Sequence, residues 1–278
     1  MTSPVNDPSD LRLNKLQQSD RAFHDWYRFV LSYPPHLVRD YIHKFGLSGN
    51  GTILDPFCGT GTTLVEAKKQ GIAAIGVEAI PMSHFASSTK ACWAVDQGTL
   101  AAMQIRVLAR ATKRVDQLPQ LGFTPDQIAI TLKNAISPQP LHQCLVLKVA
   151  IAAEPAGPER NVLNLALATV AVQDASNLKF GPEVGIRRRK RETVDVLAAW
   201  QTKVDQMRAD LALAQSQAAV PTYCHRGDAR QVATLLVPRS IDAVITSPPY
   251  PNEKDYTRTT RLESVLLGFL ANKQDLRH

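Results

Sequence analysis

Two separated stretches carry residue types and spacings with chemistry to offer. The first is TILDPFCGTGTT at residues 52–63. It reads as a short apolar strand (Thr52, Ile53, Leu54), an acid (Asp55), a turn of small residues in which Gly59 and Gly61 flank Thr60, and the start of a helix through Leu64–Ala67. Glycines at such a turn let the backbone approach a ligand, and the following helix N-terminus presents free N–H groups. By itself the pattern can be no more than a tight turn. A second apolar run, Ala73–Val77, ends in Glu78, 23 residues after Asp55. An acid at that spacing and at the tip of the next strand is placed to accept from both ribose hydroxyls of a nucleoside, which suits an adenosine-containing cofactor. The second stretch, IDAVITSPPY at 241–250, is an apolar strand running into Ser247-Pro248-Pro249-Tyr250.

DPFCGTGTT and TSPPY in one chain resemble the first and fourth motifs of the DNA amino-methyltransferases, which methylate exocyclic amino groups of bases with S-adenosylmethionine. The resemblance implies a Rossmann-like class I methyltransferase sheet and assigns roles by residue. Asp55, Pro56, Phe57, Gly59 and Gly61 would form the cofactor turn, Glu78 would take the ribose, and Ile80 and Asp228 would take the adenine. Ser247, Pro248, Pro249 and Tyr250 would form the catalytic motif. Chemically, the amine lone pair is delocalised into the base, and hydrogen bonds accepted from its N–H groups localise it. Ser247 offers a hydroxyl for this, and Pro248 a carbonyl whose direction is held by consecutive prolines. Tyr250 offers a ring on which an extruded base can stack. Serine in the first position resembles enzymes acting on cytosine N4 more than those acting on adenine N6.

Elements must bring these motifs together across a long interval. The sequence predicts an α/β fold with about four parallel strands: Thr52–Leu54, Ala73–Val77, Val220–Arg226 and Ile241–Thr246. Three segments follow: 1–95 with N-terminal helices and the cofactor half, 96–219 as a mainly helical insertion, and 220–278 with the last two strands, the SPPY motif and a helix. Helical patterns run over Leu37–Phe45, Met82–Trp93, Thr99–Leu118, Asn161–Gln173, Thr193–Ala219 and Leu262–Leu270. Residues 1–20 read as loosely attached. Tyr33-Pro34-Pro35-His36 loosely resembles the family's proline-initiated helix lining the cofactor pocket, and a plain capping helix is the equal alternative.

The chain of 278 residues carries a net charge of +7. Between Ala101 and Gln215 there are 15 Lys and Arg against 10 Asp and Glu, so most of the surplus lies between the motifs. Within it, NLKFGPEVGIRRRKR holds Lys179 and then Arg187, Arg188, Arg189, Lys190 and Arg191 on a Gly- and Pro-containing loop, a candidate phosphate contact for double-stranded DNA. The insertion is therefore the expected target-recognition region. The four cysteines show no C-x-x-C pair and read as isolated, reduced thiols. Cys224 and His225 would face opposite sides of a strand, so no metal site is expected. No apolar run long enough to span a membrane or act as a signal peptide is present, which predicts an intracellular, cytoplasmic protein.

One departure from the family stands out. The family's sheet has seven strands, and only four are found before the sequence stops one helix after TSPPY. The expected function is site-specific DNA methylation, as in restriction-modification. RNA or protein-glutamine methylation is one alternative. The other is an inactive fragment or split-enzyme subunit, completed by a second chain, that only binds cofactor or DNA.

Overall fold

The computed structural model describes residues 16–27, 32–181, 183–249 and 256–277. Helix α1 (Pro35–Lys44) starts on a proline, whose missing N–H costs nothing at a first turn. Strand β1 (Thr52–Asp55) leads through the glycine turn into α2 (Thr62–Lys69), then β2 (Ala73–Glu78) and α3 (Pro81–Ala91). The interval between motifs holds α4 (Gln97–Val115), α5 (Pro125–Ile130), α6 (Pro138–Ala152), α7 (Pro158–Val170), a hairpin of β3 (Leu178–Lys179) and β4 (Gly185–Ile186), and α8 (Val196–Leu213). The chain returns through β5 (Thr222–Arg226), α9 (Val232–Leu235) and β6 (Ala243–Val244), and closes with α10 (Tyr256–Thr259) and α11 (Arg261–Leu267).

The main sheet is all parallel in the order β5-β2-β1-β6, so the fold is α/β. Ile53 and Ala74 are fully buried because helices cover both faces of a parallel sheet. Gly76 is required by packing: a Cβ there would meet Cys58 Sγ at 2.7 Å and Leu64 at 2.9 Å. That absence lets the turn and α2 lie directly on β2. A second, larger core joins α4, α6, α7 and α8 to residues from both ends, including Trp26, Met82, Trp93, Trp200 and Leu266. The insertion thus shares its core with the segments that flank it.

Several expectations change in detail. The last strand is predicted over Ile241–Thr246, but the ladder covers only Ala243–Val244 at the sheet's edge, with Val244 53% exposed. Single bonds from Asp242 N to Thr52 O and Ile245 N to Leu54 O extend the pairing. Residues 16–20 are not loose: Gln18–Asp20 forms a 3-10 turn, and buried Asp20 pairs with Arg39 at 2.9 Å. Residues 1–15 lie outside the described residues. Helix α6 gives no periodic signal because it packs against α4, α7 and α8, and a helix buried on most sides loses its polar face. Among the described residues, no helix is long and apolar enough to cross a membrane.

Candidate active site

In this strand order the chain steps outward from β1 to β2 and β5, then crosses back to place β6 on the other side of β1, which makes the β1–β6 edge a topological switch point. Ligands of open parallel sheets bind at the carboxyl ends of the strands at such a switch point. A cleft of about 340 Å³ opens there. Its walls include Pro56, Phe57, Gly59 and Thr60 from the turn, Glu78 and Ile80 from the end of β2, Gly227 and Asp228 from the end of β5, and Ser247, Pro248 and Pro249 after β6. Phe57 and Ser247, 190 positions apart in sequence, therefore share one cleft.

Asp55 holds the two motifs together. It is fully buried at the end of β1. Its Oδ1 accepts from Thr246 Oγ1 at 2.7 Å and from the Phe57 N–H at 3.1 Å, and its Oδ2 from Tyr33 Oη at 3.0 Å. Tyr33 also bonds the Thr63 hydroxyl, and Thr63 donates to Ile245 O at 3.2 Å. One carboxylate thus ties the glycine turn, the N-terminal segment and the residue just before Ser247. Burial raises its pKa, and the hydrogen bonds it accepts only partly offset that. Asp55 lies behind the cleft wall.

The glycines divide their work. Gly59 has φ +53°, and a Cβ there would meet nothing within 4 Å, so the turn leaves open space on that side. Gly61 has φ +85°, and a Cβ there would meet Ser87 Cβ at 3.0 Å. It caps α2 and packs on α3, away from the cleft lining. Glu78 accepts from the Ile80 N–H at 2.7 Å and from the Gly59 and Ala79 amides. Burial nonetheless pushes its pKa up to about 7, more than these backbone hydrogen bonds pull it down.

Asp228 sits across the cleft, and its carboxylate is gripped by the Arg230 guanidinium at 2.5–3.0 Å. That pairing pulls its pKa down to about 2. To accept from a ligand amine, Asp228 must share or release Arg230. Ile80 stands at the N-cap just before α3 and lines both the cleft and a neighbouring hollow beside Arg226 and Thr260. Tyr250 lies outside the described residues. Sequence reasoning did not single out Thr246, and it gave Tyr33 only as part of a loose resemblance. Ser32 and Tyr33 line the cleft just before α1, and the only signal for them was the Tyr33-Pro34-Pro35 pattern.

The basic run, Arg187–Arg191, follows the β3–β4 hairpin directly and lines no part of the cleft. Its ends are anchored: Arg187 Nε donates to Leu178 O at 3.0 Å, and Arg191 donates to Gln173 O, with its backbone N–H on Asn177 at 2.8 Å. Arg188, Arg189, Lys190 and Lys179 are exposed. The reading of four isolated cysteines is corrected. Cys58 Sγ and Cys224 Sγ lie 3.5 Å apart, because β5 pairs with β2 and Gly76 clears the space between them. Sequence distance conceals such a pair. Among the described residues, no group of three His, Cys, Asp or Glu could hold a metal.

Residues 9–84 match the DNA methylase family of N6/N4 methyltransferases. Over 281 aligned residues the chain is 24% identical to the Type II methyltransferase M.BsoBI of Geobacillus stearothermophilus, covering 90% of this chain. The chain spans about half of that relative, 53% of its length. No solved structure matches. With a glycine turn and Ser247-Pro248-Pro249 meeting at the switch point of a parallel sheet, the chain is similar to the N4/N6 DNA amino-methyltransferases.

Proposed function

We propose that this chain holds the cofactor half and the amine-accepting motif of an S-adenosylmethionine-dependent DNA methyltransferase acting on cytosine N4. The observation that carries the reading is the Asp55 bridge, which joins a nucleoside-type cleft to the Ser247-Pro248-Pro249 wall. The cleft fits the cofactor. Gly59 leaves open backbone, and Glu78 is a half-buried carboxylate bonded to backbone amides, suited to a pair of hydroxyl donors. When bound, the sulfonium supplies an already activated methyl group.

The chain's own residues then have distinct tasks. Glu78 accepts from the two ribose hydroxyls, and Ile80 packs against the adenine. Asp228 accepts from the adenine amine once Arg230 yields. Ser247 Oγ and the Pro248 carbonyl accept from the target amine's N–H groups, which frees its lone pair and fixes its direction. Pro249 keeps that carbonyl aimed, and Tyr250 stacks on the extruded base, an interaction typically worth ~1–3 kcal/mol. The exposed Arg188, Arg189, Lys190 and Lys179 contact DNA phosphates.

Calorimetric titration with S-adenosylhomocysteine tests the cofactor reading, and a folded sample that binds none overturns it. Digesting methylated DNA to nucleosides and weighing them tests the base. N6-methyladenine without N4-methylcytosine overturns the choice of cytosine.

A further inference from the structure

The cysteine pair has no part in the chemistry above. Cys58 lies in the glycine turn between Phe57 and Gly59 and lines the cleft, while Cys224 sits on β5, paired in register with Gly76. Their sulfurs are 3.5 Å apart, and Ser87 Oγ lies 2.9 Å from Cys224 Sγ. Two thiols 3.5 Å apart, one on the wall of a cleft and one half-buried, are within reach of forming a disulfide. We propose that Cys58 and Cys224 form a reversible redox modification site, in which a peroxide oxidises Cys224 and Cys58 then closes a disulfide that ties the glycine turn to β5.

The steps balance. The Cys224 thiolate attacks one peroxide oxygen; an S–O bond forms, the O–O bond breaks, and the departing hydroxide takes a proton to leave as water. Cys58 sulfur attacks the resulting sulfenic acid; the S–S bond forms, the S–O bond breaks, and a second water leaves. Two thiols lose two electrons and two protons, and hydrogen peroxide is reduced to two waters. The order of attack follows from the surroundings. The Cys58 thiol and the Ser87 hydroxyl beside Cys224 hold its pKa below the usual thiol value, whereas the Cys224 neighbour and burial raise that of Cys58.

Closing the sulfurs to bonding distance pulls on a turn already pinned by the Cys58 N–H to Val77 O bond at 3.1 Å. Phe57 and Gly59 move with it, so the oxidised turn binds a nucleoside less well; this consequence rests on the proposed function.

Peptide mapping by mass spectrometry after hydrogen peroxide treatment provides the test. The expected result is a cross-linked pair of peptides carrying Cys58 and Cys224, reversed by dithiothreitol, with Cys92 and Cys144 still alkylatable. Cys58→Ser should leave Cys224 as a dimedone-reactive sulfenic acid, and Cys224→Ser should leave Cys58 unmodified. Wild-type mapping alone overturns the proposal if both thiols stay free or either pairs with Cys92 or Cys144. Oxidation should weaken S-adenosylhomocysteine binding about tenfold, restored by reductant. Unchanged affinity in the cross-linked protein overturns the coupling to the turn. If neither form binds that nucleoside, the proposed function fails while the mapped disulfide stands.

Discussion

Glu66 and Glu78 lie on adjacent elements, and both are largely removed from water, yet their surroundings are opposite. Glu66, on α2, faces away from the cleft and is ringed by donors: His24 Nε2 at 2.8 Å, Arg39 Nη1 at 2.6 Å and Lys69 Nζ at 2.9 Å. Burial alone would raise its pKa, but the His24 bond and the Lys69 charge hold it down to about 2. Among the described residues the bonds to Glu78 come from backbone amides, and burial carries it up to about 7. The scaffold pairs Glu66 with side-chain donors, whereas the bonds found for Glu78 among the described residues come from backbone amides. That difference is what the proposed ribose role of Glu78 rests on.

The largest expected effect breaks the paired side. Glu66→Ala leaves His24, Arg39 and Lys69 without their shared acceptor and should cost about 3 kcal/mol. This is the low end for a broken buried pair, because Arg39 and Lys69 remain partly solvated. Urea unfolding measures it, and a loss below about 1 kcal/mol would show that the cluster contributes little.

Glu78→Gln should do the reverse. Nucleoside affinity should fall by about 1.5–3 kcal/mol, the usual worth of a hydrogen bond to a charged group, while stability at pH 8 holds or rises. The signs follow from linkage. The folded pKa of Glu78, about 7, exceeds the ordinary glutamate value of 4.5, so the folded state binds the extra proton between those values, and stability falls as pH rises through that window. Ligand affinity should climb through pH 7 and level off above it. For Glu66, folded near 2 against 4.5, stability is present above pH 4.5 and lost as pH falls toward 2. Unfolding free energies of both variants across pH 2–8 separate the two behaviours, and parallel curves would dissolve the contrast.

Thr246→Val removes one of the Asp55 donors while keeping the shape. Leaving that buried oxygen short of a partner should cost about 1–2 kcal/mol and loosen the Ser247 wall. Thermal unfolding together with S-adenosylhomocysteine titration would show both effects.

The smallest stability effect belongs to the basic run. Replacing Arg188, Arg189 and Lys190 together by Ala should shift stability by less than about 0.5 kcal/mol, as for exposed substitutions. It should also flatten the slope of log K for DNA against log salt by ~0.9 for each phosphate no longer neutralised. Arg187 and Arg191 are excluded, since they anchor the hairpin. An unchanged slope would return the loop to plain solvated surface.

What residue order alone determined is local. A strand ending in an acid before Gly59 and Gly61, a second strand ending in Glu78, and a third element ending in Ser247-Pro248-Pro249 follow from apolar runs and turn residues a few positions apart. Those signals were enough for the α/β class and for most of the cleft wall. Helix α6 was illegible because burial on most sides erases the polar stripe that periodicity needs, and the buried packing of Asp20 was illegible because its partner, Arg39, lies on α1. Only the tertiary structure decided that Asp55 joins Thr246 to the turn behind the cleft, that Arg187 and Arg191 are anchors, and that Cys58 meets Cys224. Each depends on the strand order β5-β2-β1-β6 or on the packing of the segments between β2 and β5. These bonds join residues from 9 to 191 positions apart, and pairings over such distances leave no local pattern to read.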